Sequence, residues 1–328
     1  MAIFIAITDD DLRALLPAWE APGLQAALGI PAGSINTNLA LEFVDGSRGF
    51  LRYTTVRSEA DLAFEAEILG ALEQAGLQGP RLQATRSGGK WVKWGDGFLS
   101  LFHWMEGVEL THRTVQPHHL RTLGAALARV HAALGRVTAS RPNPYGPEVV
   151  AGWLRQLEAE AHPGLEGLPA FLLAAQSEAQ EVMSRASNLP AGTIHADVFL
   201  DNVKWNGPDQ PGLFDFEMAC TAPLVQDLAI TLDAWCFDGG EYQRPLAQAL
   251  LQGYGSVRRL SGEERQVLHG ACLHGAIRFT TSRIRDFHLS ALTPDRLQHK
   301  DYRTWLARVR ALRAMGQAGF DRWLEGRD

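Results

Sequence analysis

The feature that most constrains this chain is a short predicted hairpin within residues 193–217, TIHADVFLDNVKWNGPDQPGLFDFE. Two apolar runs, Val203–Trp205 and Gly212–Phe214, flank the segment NGPDQP. Asn, Gly, Pro and Asp favour the backbone angles that turns require, and short apolar runs on both sides are typical of paired strands. The pattern therefore predicts a two-stranded hairpin.

Four polar residues bracket this hairpin: His195, Asp197 and Asn202 precede it, and Asp215 follows it. Their spacing, H-x-D-x-x-x-x-N and then D-F, is the order of the catalytic loop and the metal loop in kinase-like phosphotransferases. A carboxylate must accept or orient the proton of the substrate hydroxyl, which suits Asp197. An amide oxygen and a second carboxylate must hold Mg²⁺ against nucleotide phosphates, which suits Asn202 and Asp215. The alternative is a surface hairpin with ordinary turn-forming residues.

Composition narrows the classes of protein that remain. The chain has 328 residues and a net charge of −6, with 46% hydrophobic and 21% charged residues, which is typical of soluble globular proteins. This charge gives no footprint for nucleic acid or for an anionic membrane. The three widely spaced cysteines and the lack of a zinc-ligand spacing predict neither a disulfide framework nor a structural metal. Since the sequence shows no signal-peptide pattern and no apolar run of transmembrane length, we expect a cytoplasmic protein.

The first part of the chain contains a predicted strand–turn–strand. Two runs, NTNLALEFV and GFLRYTTV, are joined by Asp-Gly-Ser. The residues before and at the start of the first run include Ser34, Asn36 and Asn38. Small polar residues would let backbone N–H groups approach a phosphate, because bulky side chains would block that approach. The alternative is a plain polar turn.

A cation and a carboxylate in this part match the needs of phosphate binding. Residues Asp61–Ala75 have apolar residues at i, i+4, i+7 and i+10, which predicts a helix. A kinase requires a cation on the preceding strand, braced by a carboxylate on the helix. We predict Arg52 as the cation, because a guanidinium pairs with both phosphate and carboxylate, and Glu65 as its brace. The alternative is a solvated arginine on a strand edge.

Two further strands are predicted at 91–94 and 98–101. The second leads into the apolar segment FHWMEG. An extended segment that passes into a helical region is where an adenine ring would be bound, by backbone hydrogen bonds along its edge and apolar contacts on its faces. We predict this role for Leu101, Phe102 and Trp104, and a buried connector is the alternative.

From residue 105 onward, apolar residues recur at helical spacing. We therefore expect an α+β chain, with a small antiparallel-sheet lobe and one main helix over 1–104, and a large, mostly helical lobe over 105–328. In the second lobe, Asp227 either holds the catalytic loop through backbone N–H groups or favours a helix dipole. Arg278 and Arg283 on one predicted helix suit recognition of a substrate carboxylate. Salt bridges with neighbouring acids are the alternative.

Five stretches carry a resemblance to a known family: TDDDLRALL, GSINTN, HADVFLDNV…GLFDFEMAC, DLAITLDAWCF and GAIRFTTSRIRDF. They resemble the aminoglycoside phosphotransferase/choline kinase family, and most closely its bacterial homoserine kinases, over nearly the whole chain. The HxDxxxxN…DF core is specific for the superfamily, whereas AWCF and AIRFTTSRIRDF point to the homoserine kinases.

The resemblance implies the protein-kinase-like two-lobe fold, with ATP and Mg²⁺. It implies that His195 supports the loop, Asp197 is the base, and Asn202 and Asp215 are metal ligands. The reaction would transfer the γ-phosphate of ATP to the hydroxyl of L-homoserine, a step toward threonine.

Several expectations stay open at this point. An amino-acid substrate needs a partner for its ammonium group, for which Asp233 and Glu217 are candidates. The segments AFEAEILGALEQAG and GGKWVKWGDGFLSLFHWMEG are more like the general phosphotransferases, and Arg52 stands where many members have lysine. An aminoglycoside, choline or sugar kinase of the same fold is therefore an alternative, as is a nucleotide-binding pseudokinase with a regulatory role. We expect a monomer or a homodimer.

Overall fold

The computed structural model describes residues 7–30, 36–289 and 300–327. The chain divides into two compact units. The first, which we call the sheet unit, comprises 1–108 and 212–217, and the second, the helical unit, comprises 109–211 and 218–328.

The sheet unit therefore extends past the expected boundary at residue 104 and recruits a distant segment. This segment approaches the sheet unit closely at Gly212, where an added Cβ would lie 3.1 Å from Cβ of Gln78 and would require the end of the Met105 side chain to move. Glycine, which has no Cβ, favours this close approach. This segment carries Asp215 and Glu217 into the sheet unit.

One antiparallel sheet of five strands organises the first unit. The strands are β1 (Leu24–Ile30), β2 (Thr37–Phe43), β3 (Arg48–Thr54), β4 (Val92–Trp94) and β5 (Gly97–His103). Their order in the sheet is β1-β2-β3-β5-β4. The sequence predicted β2 to β5 but not β1, because β1 is an edge strand with no fully buried side chain and hence no clear alternation.

Two helices accompany the sheet, α1 (Asp9–Leu15) and α2 (Glu59–Gln74). Each begins with a capping box, Thr8 with Asp11 and Ser58 with Asp61, in which side chain and backbone satisfy each other's hydrogen bonds. A 3₁₀ turn follows α1. The core of this unit joins α1, the 3₁₀ turn and strands β2, β3 and β5 through Leu12, Leu16, Trp19, Leu41, Phe43, Leu51, Tyr53, Leu99 and Leu101.

Strand alternation places Arg52 on the sheet face opposite this core. Leu51 and Tyr53 are buried in the core cluster, and successive strand residues point to opposite faces. Arg52 thus points away from that core, and its guanidinium contacts Glu65 on α2.

Seven helices of the described chain belong to the helical unit: α3 (Pro117–Leu134), α4 (Pro147–Glu160), α5 (Leu168–Met183), α6 (Leu224–Trp235), α7 (Arg244–Val257), α8 (Gly262–Arg283) and α9 (Tyr302–Glu325). All lie in the region from residue 105 onward whose apolar spacing predicts helices. A short π-helical turn, Ile284–His288, continues α8. Helix α8 is buried on all sides from Val267 to Thr281, which is typical of a central helix.

Short strands carry the predicted hairpin and its flanks. Strand β6 (Ala191–Ile194) pairs antiparallel with β9 (Cys220–Pro223). Between them β7 (Val203–Trp205) and β8 (Pro211–Leu213) form the hairpin, in which the amide of Asn206 donates to the carbonyl of Gln210. Two-residue strands β10 (Phe237–Asp238) and β11 (Glu241–Tyr242) follow α6. In the parts of the chain that the structure describes, no helix has the length and apolarity to cross a membrane.

Candidate active site

The loop after β6 is held by the first turn of α6. Because β6 pairs with β9 and α6 follows β9 directly, Asp227 comes to lie at the end of β6. One carboxylate oxygen, Oδ2, accepts the amide of His195 at 2.8 Å, and the other, Oδ1, accepts the amide of Ala196 at 2.8 Å. Of the two interpretations of Asp227, the structure thus shows the first, that it holds this loop.

His131 on α3 completes the support of Asp227. Its Nε2 lies 2.9 Å from Oδ2 of Asp227, and its Nδ1 lies 2.7 Å from the hydroxyl of Tyr254. Since an ionised carboxylate only accepts, Nε2 carries the hydrogen in the contact with Asp227. Burial alone would raise the pKa of Asp227, but the hydrogen bond and charge of His131 outweigh it and lower that pKa below its ordinary value.

Two features fix the position of Asp197: the backbone conformation of Ala196 and hydrogen bonds from Asn202. Ala196 adopts φ of +65°, a left-handed conformation that is costly for a residue with a Cβ and is found where surrounding contacts enforce it. Asn202 Nδ2 donates to the carbonyl of Asp197 at 2.8 Å and to its Oδ2 at 3.0 Å. The amide oxygen of Asn202 is therefore the atom that remains to ligate a cation. Trp235 Nε1 also donates to the carbonyl of Val198, at 2.9 Å.

Arg278 lies beside Asp197. Its Nη1 is 4.0 Å from Oδ1 of Asp197 and donates to the carbonyl of Ala196 at 3.3 Å. The guanidinium carbon also lies 4.0 Å from the ring centre of Tyr145 and 3.7 Å from that of Phe279. Burial lowers the pKa of Arg278, and Asp197 opposes that shift. A buried guanidinium next to the predicted base can bind an anionic substrate group without long-range screening.

A small cavity in the helical unit opens beside this arginine. It has about 320 Å³ of empty space, part of it open to solvent, and its polar lining is Asn143, Tyr145, Gln226, His274 and Arg278. The pKa of His274 is lowered to about 4 by burial and by Arg278, so His274 is neutral at pH 7. Its ring nitrogens contact Gln176 Oε1 at 3.1 Å and the carbonyl of Tyr145 at 3.2 Å. The cavity thus sets the guanidinium of Arg278 beside four other polar side chains.

Arg283 lies further along α8, about 1.4 turns beyond Arg278. Its Nη1 donates to Thr304 Oγ1 at 3.1 Å, and its guanidinium carbon is 5.3 Å from the ring centre of Trp305. Burial and the charge of Arg308 lower the pKa of Arg283 to about 10, which leaves it protonated at pH 7. Among the described residues, no carboxylate lies within ion-pair distance of Arg283. Arg285, two residues further, pairs with the neighbouring Asp286 at 2.6 Å.

Asp233 does not line this cavity with a free carboxylate, which corrects one predicted role. Its side chain is fully buried in α6, and its Oδ1 accepts the hydroxyl of Tyr242 at 2.7 Å. Burial raises the pKa of Asp233 well above its ordinary value. Fully buried and bound by Tyr242, this carboxyl is not open to a substrate ammonium group.

In the sheet unit, Arg52 and Glu65 form the predicted ion pair. Arg52 Nη1 donates to Glu65 Oε1 at 3.0 Å, and its Nη2 contacts Oε2. Although burial alone would raise the pKa of Glu65, Arg52 and Arg57 lower it to about 2. Burial alone would lower the pKa of Arg52, but Glu65 and Glu217 raise it above its ordinary range.

Glu217 joins this cluster, which corrects its predicted role as a partner for the substrate. Its Oε1 accepts Asn36 Nδ2 at 2.6 Å and Arg52 Nη1 at 2.8 Å. With its charge neutralised by Arg52, Glu217 is not an open counterion for an ammonium group. Asn36, predicted at the phosphate-covering turn, thus directs its side-chain amide to a carboxylate. Ser34 of that turn lies outside the described residues.

Asp215 also belongs to the sheet unit. It adopts φ of +65°, between β8 and a 3₁₀ turn over Phe216–Met218. Among the described residues, no three His, Cys, Asp or Glu side chains cluster as metal ligands. In a kinase, Mg²⁺ takes one or two protein oxygens and completes its shell with phosphates and water. The assignment of Asn202 and Asp215 as its ligands stays a prediction.

Leu101 and Phe102, the predicted adenine contacts, are engaged in contacts within the sheet unit. Leu101 belongs to the core, and its carbonyl accepts the amide of Gln83 at 2.9 Å. Phe102 packs against Phe50, with ring centres 5.6 Å apart. The amide of Trp104 donates to the carbonyl of Arg48 at 3.4 Å.

Three contributors went unrecognised in the sequence as site residues. Arg57 contacts Glu65, Tyr145 lines the cavity, and His131 supports Asp227. Arg57 directly precedes the N-cap Ser58, a position with no periodic signal of its own. His131 has no local signal, because its partner Asp227 lies 96 positions away in the chain.

Comparison with known proteins identifies the family of this chain. Residues 27–266 match the family described as the phosphotransferase enzyme family. The chain belongs to that family. A homoserine kinase of Methylorubrum populi is 35% identical over 88% of this chain and 88% of its own length, and one of Sinorhizobium medicae is 35% identical over 96% and 95%.

A solved structure of the phosphotransferase fold is also similar. The amicoumacin kinase hAmiN, solved in complex with AMP-PNP, Ca²⁺ and Ami, superposes with a TM-score of 0.73 at 17% identity, over 94% of each chain. At that identity the likeness speaks for the fold. The predicted α+β, protein-kinase-like fold is thereby confirmed, as is membership of the predicted family.

Proposed function

We propose that this phosphotransferase transfers the γ-phosphate of ATP to the hydroxyl of L-homoserine and yields O-phospho-L-homoserine, a step toward threonine. The observation that carries the proposal is Arg278, buried at 4% exposure with Nη1 4.0 Å from Oδ1 of Asp197. It puts a positive charge at a small cavity beside the predicted base. The relatives named above support the same acceptor.

The predicted chemistry follows from the atoms of the loop. Asp197 would accept the proton of the acceptor hydroxyl. The oxygen of that hydroxyl would bond to the γ-phosphorus while the bond between the γ-phosphorus and ADP breaks. Asn202 holds one oxygen of Asp197 at 3.0 Å, so the carboxylate is oriented before substrate binds. Arg278, with Arg283 beyond it on α8, would bind the carboxylate of the acceptor.

ATP would bind to the sheet unit. The turn with Ser34, Asn36 and Asn38 would cover the phosphates, and Arg52 would supply positive charge. The Nε of Arg52 is buried without a hydrogen-bond partner among the described residues. A buried unsatisfied donor needs an explanation, and a phosphate oxygen supplies one.

A divalent cation, which we propose is Mg²⁺, would take oxygen atoms of Asn202 and Asp215. When bound, it would neutralise charge on the transferred phosphate.

The first test is ADP release with Mg·ATP against L-homoserine, choline, kanamycin, a methylthio-sugar and no acceptor. We expect strong turnover with homoserine and near-background rates with the others. If a bulkier acceptor gives the highest turnover, the assignment of the acceptor is wrong. Binding of ATP without turnover of any acceptor would favour the pseudokinase alternative.

Replacement of the proposed base gives a second test. We expect Asp197→Ala to lower the rate by about 10²–10⁴-fold and to leave ATP binding largely intact. The measurement is kcat together with calorimetric ATP affinity. An unchanged rate would contradict the role of Asp197.

We also propose a cytoplasmic location and a monomeric or homodimeric state. Light scattering on the purified protein determines the oligomeric state, and fractionation of cells determines the location.

A further inference from the structure

Four charged side chains meet inside the sheet unit, and one of them belongs to the segment that carries Asp215. They are Arg52, Arg57, Glu65 and Glu217, with side-chain exposures of 7%, 6%, 4% and 10%. Two positive and two negative charges balance. Because uncompensated charge is costly away from water, each member depends on the others.

A single oxygen, Oε1 of Glu217, lies at the centre of three contacts. It accepts Asn36 Nδ2 at 2.6 Å and Arg52 Nη1 at 2.8 Å, and Arg57 Nη1 lies 3.8 Å away. These donors come from the turn before β2, from β3 and from the residue before the N-cap of α2. Glu217 therefore joins three separate parts of the unit.

Arg52 uses both terminal nitrogens of its guanidinium in contacts with Glu65 and Glu217. Its Nη1 contacts both Glu65 and Glu217, and its Nη2 contacts Glu65. A lysine ammonium is a compact point charge, whereas the planar guanidinium can bind two carboxylates and still present Nε. Arginine at this position thus matches the second carboxylate that Glu217 supplies.

The position of Glu217 gives this cluster a consequence for Asp215. Glu217 lies two residues after Asp215, whose φ of +65° requires support from its surroundings. Between them Phe216 is buried, with 1% exposure. Anchors at both Phe216 and Glu217 hold this segment, which we call the metal loop (214–217).

We propose that Glu217 is a positioning residue: it ties the metal loop to Arg52 and Asn36 and so holds Asp215 ready for the cation. The inference rests on the proposed role of Asp215 as a metal ligand. It explains arginine in place of the usual lysine as one half of a matched pair with Glu217.

The test compares the affinity for AMP-PNP with and without Mg²⁺ in Glu217→Gln by calorimetry. The variant keeps shape and an acceptor oxygen but loses the charge. Residues that orient metal ligands change metal affinity by about 10–100-fold. We therefore expect the gain in affinity that Mg²⁺ confers to fall by about tenfold or more, with a matching rise in the Mg²⁺ concentration needed for half-maximal rate. The KM for the acceptor should stay unchanged.

Glu73→Gln is the matched control. Glu73 lies on α2 of the same unit and forms an exposed ion pair with Arg81 at 2.6 Å. It should alter neither the Mg²⁺ dependence nor the AMP-PNP affinity.

A double variant, Glu217→Gln with Arg57→Gln, separates positioning from charge balance. It restores neutrality of the cluster, so its melting temperature should return toward that of the wild type. The raised Mg²⁺ requirement should persist, because Asp215 still lacks its anchor. If both the Mg²⁺ requirement and the melting temperature return to the wild-type values, charge balance alone explains the effect and the proposal is wrong.

Two further outcomes would overturn it. A rise in acceptor KM with an unchanged Mg²⁺ dependence would return Glu217 to substrate recognition. A lower melting temperature with unchanged Mg²⁺ dependence would make the residue structural only. Because calorimetry with AMP-PNP needs no acceptor, failure of the homoserine assignment leaves this test intact.

Discussion

At the scale of single residues, each key carboxylate of the site lies close to groups that donate hydrogen bonds or carry positive charge. Asp197 lies between the amide of Asn202 at 3.0 Å and the guanidinium of Arg278 at 4.0 Å. Asp227 is buried and takes three hydrogen bonds. In both cases a carboxylate is oriented by donors before any ligand arrives, which reduces the reorganisation that the reaction requires.

Arg278 yields a prediction about the acceptor. Arg278→Gln removes the positive charge that would bind the carboxylate of homoserine. We expect kcat/KM for L-homoserine to fall by about 10²-fold, the scale of a lost charge-assisted hydrogen bond of roughly 3 kcal/mol. The activity with 3-amino-1-propanol, which lacks the carboxylate, should change little. Equal losses for both alcohols would show that Arg278 supports Asp197 instead.

At the scale of elements, β3 and α2 are joined by a buried ion pair. The pKa of Glu65 is lowered from 4.5 to about 2 through Arg52 and Arg57, against the effect of burial. A lowered carboxyl pKa contributes stability that is present above the unfolded value and is lost as pH falls through the folded value. Glu65 thus contributes on the order of 3 kcal/mol at neutral pH.

Because the pKa of Glu65 is lowered on folding, we expect the sheet unit to lose stability as the pH falls from 4.5 to about 2. Urea unfolding at a series of pH values should show the wild type losing stability across that window. Glu65→Gln should be less stable at pH 7 and should show a flatter acid profile. A profile of Glu65→Gln that parallels the wild type would mean that other carboxyl groups carry the acid sensitivity.

Helices α3 and α7 show the same dependence on close contact, here through glycine. An added Cβ at Gly253 would collide with the carbonyl of Arg121, and one at Gly124 would collide with the carbonyl of Leu250. The two glycines let the helix backbones approach each other.

We expect Gly253→Ala to destabilise the helical unit by about 1–3 kcal/mol, because the backbones must separate. Gly255→Ala is the matched control on the same helix, since an added Cβ there meets no atom within 4 Å. Alanine has the higher helix propensity, so the control should gain about 0.5–1 kcal/mol. Thermal unfolding measures both, and equal effects at the two positions would contradict the packing argument.

At the scale of the whole molecule, a ligand that binds only the folded chain must raise its stability. Saturation at about 100 times Kd corresponds to about 2.7 kcal/mol. We expect AMP-PNP with Mg²⁺ to raise the melting temperature, and EDTA to remove most of that rise. Asp215→Asn should show little difference between the Mg²⁺ and EDTA samples. A full Mg²⁺ effect in that variant would exclude Asp215 as a ligand.

The sequence by itself determined the family, the helical regions, four strands of the sheet and the position of the HxDxxxxN motif beside the hairpin, because these are local. Periodicity of two or 3.6 residues, turn chemistry and the HxDxxxxN…DF spacing lie within short windows of the chain. The pairing of Arg52 with Glu65 was also predictable, since alternation places Arg52 opposite the core.

Only the tertiary structure decided which charges meet. The sequence offered Asp233 and Glu217 as equivalent partners for a substrate, yet one is buried beside Tyr242 and the other is bound to Arg52. Glu217 contacts Asn36, 181 positions earlier. Such contacts depend on how distant segments pack, and burial and charge compensation select among them without any local trace in the chain.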